Sequence, residues 1–102
     1  LRITIWGLTR GIDKGLYPVE RAFFYMPLCH SENIQHQKQA VELFEQLEEI
    51  SPASIRLRMS IFRNYAVDSY KTIEKFGRFP QRNEVLGRVS TAEEIEFLAE
   101  RS

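Results

Sequence analysis

The chain has 102 residues, with 14 Lys and Arg against 14 Asp and Glu, and a formal net charge of zero. This length holds one domain with a real core, and 43% hydrophobic residues exclude a disordered chain. The neutral balance argues against a general nucleic-acid binder, which needs excess base to displace counterions from phosphates.

One cysteine, Cys29, excludes an internal disulfide and a zinc finger, and points to a reducing, cytoplasmic compartment. No apolar stretch reaches the roughly 20 residues of a membrane span. The opening residues lack the apolar core of a secretion signal. Leu1 in place of an initiating Met predicts a processed product or a fragment.

Leu1, Ile5, Leu8, Ile12 and Leu16 recur at helical spacing and predict a first helix. Gly7, Gly11 and Gly15 form a second stripe, four apart. It reads either as a face approached closely by another helix or as the mark of an irregular, frayed helix. Pro18 suits the first turn of a second helix, because its missing donor is not needed there. Val19, Ala22, Phe23 and Met26 make the expected core face, and Pro27 the expected stop. Phe24 and Tyr25 leave this helix apolar nearly all round, which predicts burial between neighbours.

Ser31 is the predicted N-cap of a third helix, with Glu32 in its first turn and paired with His36. That helix runs to about Ile50 on a stripe of Ile34, Val41, Phe44 and Leu47, flanked by Ala40 and Leu43. Ser51-Pro52 breaks it. A fourth helix, from about Ala53 to Phe76, carries Ile55, Met59, Phe62, Ala66, Ile73 and Phe76. So short a connection predicts antiparallel neighbours. Glu45, Glu48 and Glu49 then face Arg56 and Arg58 across the turn, either as a solvated surface with local pairing or as an acidic docking stripe.

Gly77 is placed to end the fourth helix in a left-handed conformation. A single turn follows through Leu86, with a stop at Gly87. Two overlapping capping boxes, Ser90 with Glu93 and Thr91 with Glu94, open a last helix that buries Ile95 and Leu98. The fold class is therefore all-α, with about five to six helices and no strand-like alternation. No repeat recurs at a period of about 34 residues.

Arg78, Arg82 and Arg88 cluster around two helix stops, with Phe76 and Phe79 between them and Asn83 beside them. Guanidinium groups grip carboxylates and phosphates, so an anion-binding site is one reading. The other is structural: the aromatics and Leu86 plug the loop into the core while the arginines bond helix-end carbonyls or surface carboxylates. His30 is the candidate general acid or base. Cys29 beside it suits a small buried hydrophobe. His30 and His36 are spaced poorly for a metal, and no metal site or cofactor is expected. Trp6, Tyr17, Tyr25, Tyr65 and Tyr70 form no stacking platform and read as core aromatics.

Phe76-Gly77-Arg78-Phe79-Pro80-Gln81-Arg82-Asn83 is followed by Leu86-Gly87-Arg88 and Ser90-Thr91-x-Glu93-Glu94. Upstream stands Arg21-Ala22-Phe23-Phe24-Tyr25-Met26-Pro27-Leu28-x-His30-Ser31-Glu32. These blocks span most of the chain and resemble the uncharacterised domain-of-unknown-function family nine-two-four. The resemblance implies an all-α fold similar to tetratricopeptide-repeat superhelices, a stack of antiparallel helical hairpins, and no established activity. Two positions depart from the family pattern: Gln81, where a His is usual, and the neighbourhood of Ser69, where a His is frequent. The resemblance also implies that residues 1–102 are the C-terminal part of a longer domain, whose other half has its own Gln-Phe-Pro-Arg-Asn segment. The glycine stripe and second helix would then be covered by self-association or by a partner helix.

The leading functional reading is a helical module for protein or peptide interaction. The alternative is a site for an anionic small molecule, or an enzyme, with Arg78, Arg82, Asn83 and Arg88 as binding residues and His30 moving a proton.

Overall fold

The computed structural model describes residues 2–11 and 17–101. Five helices follow in order: α1 (Arg2–Thr9), α2 (Pro18–Cys29), α3 (Ile34–Ile50), α4 (Ala53–Phe76) and α5 (Ala92–Arg101), with a 3-10 turn at Pro80–Arg82 before the last. The described residues contain no strand, and none of their helices is long and apolar enough to cross a membrane.

Helix α1 is shorter than its apolar stripe predicts. Gly11 turns the chain at φ +70°, a left-handed conformation that glycine enters at no steric cost. The glycine stripe divides: Gly7 is pressed against the ring of Phe24, whereas Gly11 faces open space and serves as a stop. Thr4, Gly7 and Leu8 make the inward side, and Ile5 is exposed. Thr4 Oγ1 donates to the Phe24 carbonyl at 2.8 Å, tying α1 to α2. Leu1, Ile12, Gly15, Leu16 and the side chain of Trp6 lie outside what is described.

Helix α2 begins at Pro18 as expected, but Pro27 does not end it. The proline removes one backbone donor. The helix continues because Leu28 and Cys29 are buried beyond it and its last carbonyls find a donor in α3. That donor is Gln37. Its Nε2 reaches the carbonyls of Cys29 at 2.9 Å, Ser31 at 2.6 Å and, more weakly, Leu28 at 3.4 Å. The buried line of α2 is Ala22, Tyr25, Leu28 and Cys29. Phe23 falls one position off that line and is exposed, contrary to the sequence expectation.

Asn33, not Ser31, caps α3, accepting from the Gln35 N–H at 2.8 Å. Ser31 instead accepts from the Asn33 N–H and bonds His36 Nδ1 at 2.7 Å. His36 is thus held by Ser31, which frees Glu32 for a distant partner. Ala40, Phe44 and Leu47 form the core stripe, joined by Gln37. Phe44 sits at the centre, edge-on to Tyr25 at 5.8 Å and stacked on Phe62 at 5.9 Å. Such aromatic pairs add roughly 0.5–1.5 kcal/mol beyond burial.

The α3–α4 hairpin turns at Ser51-Pro52, and α4 ends where predicted, with Gly77 at φ +72°. Met59, Ala66 and Ile73 complete the core. Across the hairpin Glu48 pairs with Arg63 at 3.0 Å and accepts from Ser60 at 2.7 Å. Arg56 bonds the Ser51 carbonyl, and Arg58 is exposed. In α5 the inward residue of the first turn is Glu94; Ile95 is exposed and Leu98 half-buried, so the predicted burial of Ile95 is corrected.

Candidate functional site

The segment after α4 is built by local rules first. Gly77 takes the left-handed position and donates its N–H to the Ile73 carbonyl at 2.7 Å. Phe79 and Pro80 are buried, and Gly87 closes the turn at φ +69°. Leu86 is exposed, so the plug into the core is Phe79, with Phe76 half-buried against Phe97 at 5.1 Å. Of the two predicted capping boxes, the one at Thr91 forms. The Glu94 N–H donates to Thr91 Oγ1 at 3.1 Å, and the Thr91 N–H to Glu94 Oε1 at 2.9 Å. Ser90 turns instead to Asn83, accepting from Nδ2 at 3.0 Å.

The three arginines of the segment fare differently. Arg78 is bidentate on Glu94, at 2.9 and 2.7 Å, and also bonds the Val89 carbonyl. Arg88 is bidentate on Glu32, at 2.9 and 3.1 Å, and bonds the Phe79 carbonyl. Glu32 accepts in addition from the Phe79 N–H at 2.6 Å. The Arg78 bonds and the Thr91 N–H hold the Glu94 carboxyl down at about 2. The Arg88 bonds, followed by the Phe79 N–H and the charges of Arg88 and Arg82, lower Glu32 against the opposing effect of burial.

Arg82 is the exception. It donates from Nη1 to the His30 carbonyl at 2.8 Å and stacks over Phe79 with its guanidinium carbon 4.6 Å from the ring centre. Among the described residues it bonds no carboxylate. Asn83 is buried, and its Oδ1 has no partner among the described residues. His30 is exposed. Its ring stands edge-on to Tyr65 at 6.4 Å, so Arg82 meets the backbone of His30 and not its imidazole.

A cleft of about 260 Å³ opens beside Arg82, between α4, α5 and the 3-10 turn. Gln81 and Ser69 both line it. Arg101 and Asp68 form a doubly bonded pair at its edge, both bonds 2.8 Å. Cys29 contributes a thiol that burial pushes up to about 12. Sequence reading missed this cleft and the carboxylates Glu32 and Glu94 as arginine partners. The capping box was the one local signal for Glu94, and nothing local marked Glu32. Among the described residues no three His, Cys, Asp or Glu side chains group as metal ligands.

The fold is shared with the solved structure of a protein of unknown function from Agrobacterium tumefaciens. That protein is 32% identical, with a TM-score of 0.79 over 95% of this chain. The present chain spans 49% of the length of that relative. No curated protein matches it. The family model described as "Bacterial protein of unknown function (DUF924)" matches residues 1–102, and the chain belongs to that family.

Proposed function

We propose that the chain is a tetratricopeptide-like interaction module, working in the cytoplasm, whose partner is a second copy of itself. The observation that carries this reading is an apolar stripe along the outer side of α4. Leu57, Ile61 and Tyr65 follow one another every four residues and are 78%, 62% and 44% exposed. Phe23 of α2, 66% exposed, adjoins them through its edge contact with Phe62 at 6.0 Å. Contiguous apolar surface of this kind marks interaction sites in soluble proteins.

The area supports the same reading. The chain exposes 6779 Å², against about 6,000 Å² for a folded monomer of its mass. The excess is of the order of one partner's share in a standard interface, about 800 Å². The radius of gyration is 15.0 Å, where a closed domain of this length has about 13 Å. The molecule is correspondingly elongated, 44 × 28 × 19 Å. A two-fold axis at Ile61 sets Leu57 of one copy on Tyr65 of the other, the self-complementary pairing that a symmetric dimer requires.

Sedimentation velocity over a concentration series tests the proposal. The expected result is a reversible dimer that Ile61→Glu converts to a folded monomer. A monomer at every concentration overturns it.

A further inference from the structure

We infer that the cleft between α4, α5 and the Pro80–Arg82 turn binds a small organic carboxylate, with Arg82 as its anion-holding residue. This goes beyond the docking reading and does not depend on it.

Two arginines and one aspartate line the cleft. Arg101 and Asp68 satisfy each other through two bonds of 2.8 Å. Arg82 is left as a cation with no carboxylate bonded to it among the described residues. A guanidinium carries five N–H donors, and among the described residues only Nη1 is directed to a protein acceptor, the His30 carbonyl. The group is also pre-set: stacking on the buried ring of Phe79 fixes its plane before any ligand arrives. Fixing a side chain in advance removes ordering cost from binding.

The rest of the cleft matches one end of such a ligand to Arg82 and the other to apolar walls. Ser69 is buried, yet its hydroxyl makes no hydrogen bond among the described residues. A helical serine ordinarily bonds a carbonyl one turn back, as Thr72 does here to Asp68 at 3.0 Å. Ser69 therefore keeps a donor and acceptor for the cleft, which Gln81 also lines. Phe79, Phe97 and Leu98 supply the apolar walls. A single guanidinium with no bonded carboxylate among the described residues fits a planar monoanion, which it can hold through two parallel bonds, better than a phosphate dianion. The volume of about 260 Å³ falls below the roughly 300–1,000 Å³ of drug-sized ligand sites and restricts the cleft to a small molecule.

The test is an amide-resolved NMR titration of the chain with sodium benzoate and sodium hexanoate, with benzyl alcohol as neutral control at equal ionic strength. Saturable shifts centred on Ser69, Gln81 and Arg82 are expected for either carboxylate, with the alcohol at least tenfold weaker. Arg82→Gln should weaken binding at least tenfold. Because Arg82 also braces the turn, Ser69→Leu is the second variant: it fills the cleft, leaves Arg82 in place, and should abolish the shifts. Tyr65 borders the cleft as well as the docking stripe, so the titration is repeated on Ile61→Glu, where the saturable shifts should persist without a partner copy. Failure of both carboxylates to saturate, equal binding of the alcohol, or full binding by a folded Arg82→Gln or Ser69→Leu overturns the assignment.

Discussion

Glu32 and Arg88 lie 56 residues apart in sequence and meet through two parallel hydrogen bonds of 2.9 and 3.1 Å. The same carboxylate takes the Phe79 N–H, and the same guanidinium takes the Phe79 carbonyl. One ion pair therefore satisfies both backbone groups of the residue that plugs the loop into the core. Glu32→Ala leaves Arg88 and the Phe79 N–H without their acceptor. Hydrogen bonds to charged groups are worth about 1.5–3 kcal/mol, and partial exposure of the pair favours the lower part of that range, about 2 kcal/mol. Urea unfolding reads the loss. A double-mutant cycle with Arg88→Met should show coupling above about 1 kcal/mol; additive effects would mean that the two residues act separately.

Acid should loosen the same end of the molecule. Glu94 titrates at about 2, below its ordinary 4.5, chiefly through the Arg78 bonds, and Glu32 is lowered chiefly through Arg88. A carboxyl depressed in the folded state binds its proton more weakly there than in the unfolded chain. Its stabilisation is complete above the unfolded value and is lost as pH falls from about 4.5 toward 2. Urea midpoints measured down this range should drop steeply. Glu94→Gln should flatten the drop while lowering stability at neutral pH. An equal slope in the variant would place the acid sensitivity elsewhere.

The fold was most legible where its determinants are local. Both ends of α4 could be placed because Ser51-Pro52 and Gly77 act within one turn of themselves, and the Thr91–Glu94 box spans only three residues. Legibility failed where neighbours decide. Helix α2 is apolar on several sides, and only its packing against α3 and α4 chooses Tyr25 over Phe23 for burial. Ser31 and Asn33 are both good caps two positions apart, and the competition is settled by His36 drawing the Ser31 hydroxyl away. The arginine cluster could be seen, but not which arginines already hold a carboxylate, since Glu32 lies in another hairpin. The cleft combines Ser69 on α4 with Gln81 and Arg82 on the turn, and no sequence periodicity joins them.

Gln37 is a second brace that hydrophobic patterning hides. It is fully buried on the core face of α3 and donates to the carbonyls that close α2. Gln37→Leu keeps the volume but leaves those carbonyls without a donor, at a cost of about 2 kcal/mol. Gln37→Glu should be worse, because at neutral pH a carboxylate offers only acceptors to a cluster of acceptors. Thermal unfolding should therefore rank the parent above Gln37→Leu and Gln37→Leu above Gln37→Glu. The reverse order of the two variants would show that size, not donation, is what this position supplies.

Cys29 gives the opposite pH behaviour at the alkaline end. Burial raises its thiol from 9.0 to about 12, so the folded chain holds the proton more tightly than the unfolded one. The associated stabilisation is complete below pH 9.0 and is lost as pH rises through about 12. Tyrosines and lysines titrate in the same interval, so the informative quantity is the difference from Cys29→Ala, which should lose less stability than the parent above pH 9. The thiolate is the nucleophile in cysteine chemistry. A thiol-directed disulfide reagent near pH 8 should accordingly modify Cys29 only as fast as the chain opens, and mild urea should speed the reaction in step with unfolding. Rapid modification of the folded chain would show that the cleft exposes the sulfur and that Cys29 is available for chemistry there.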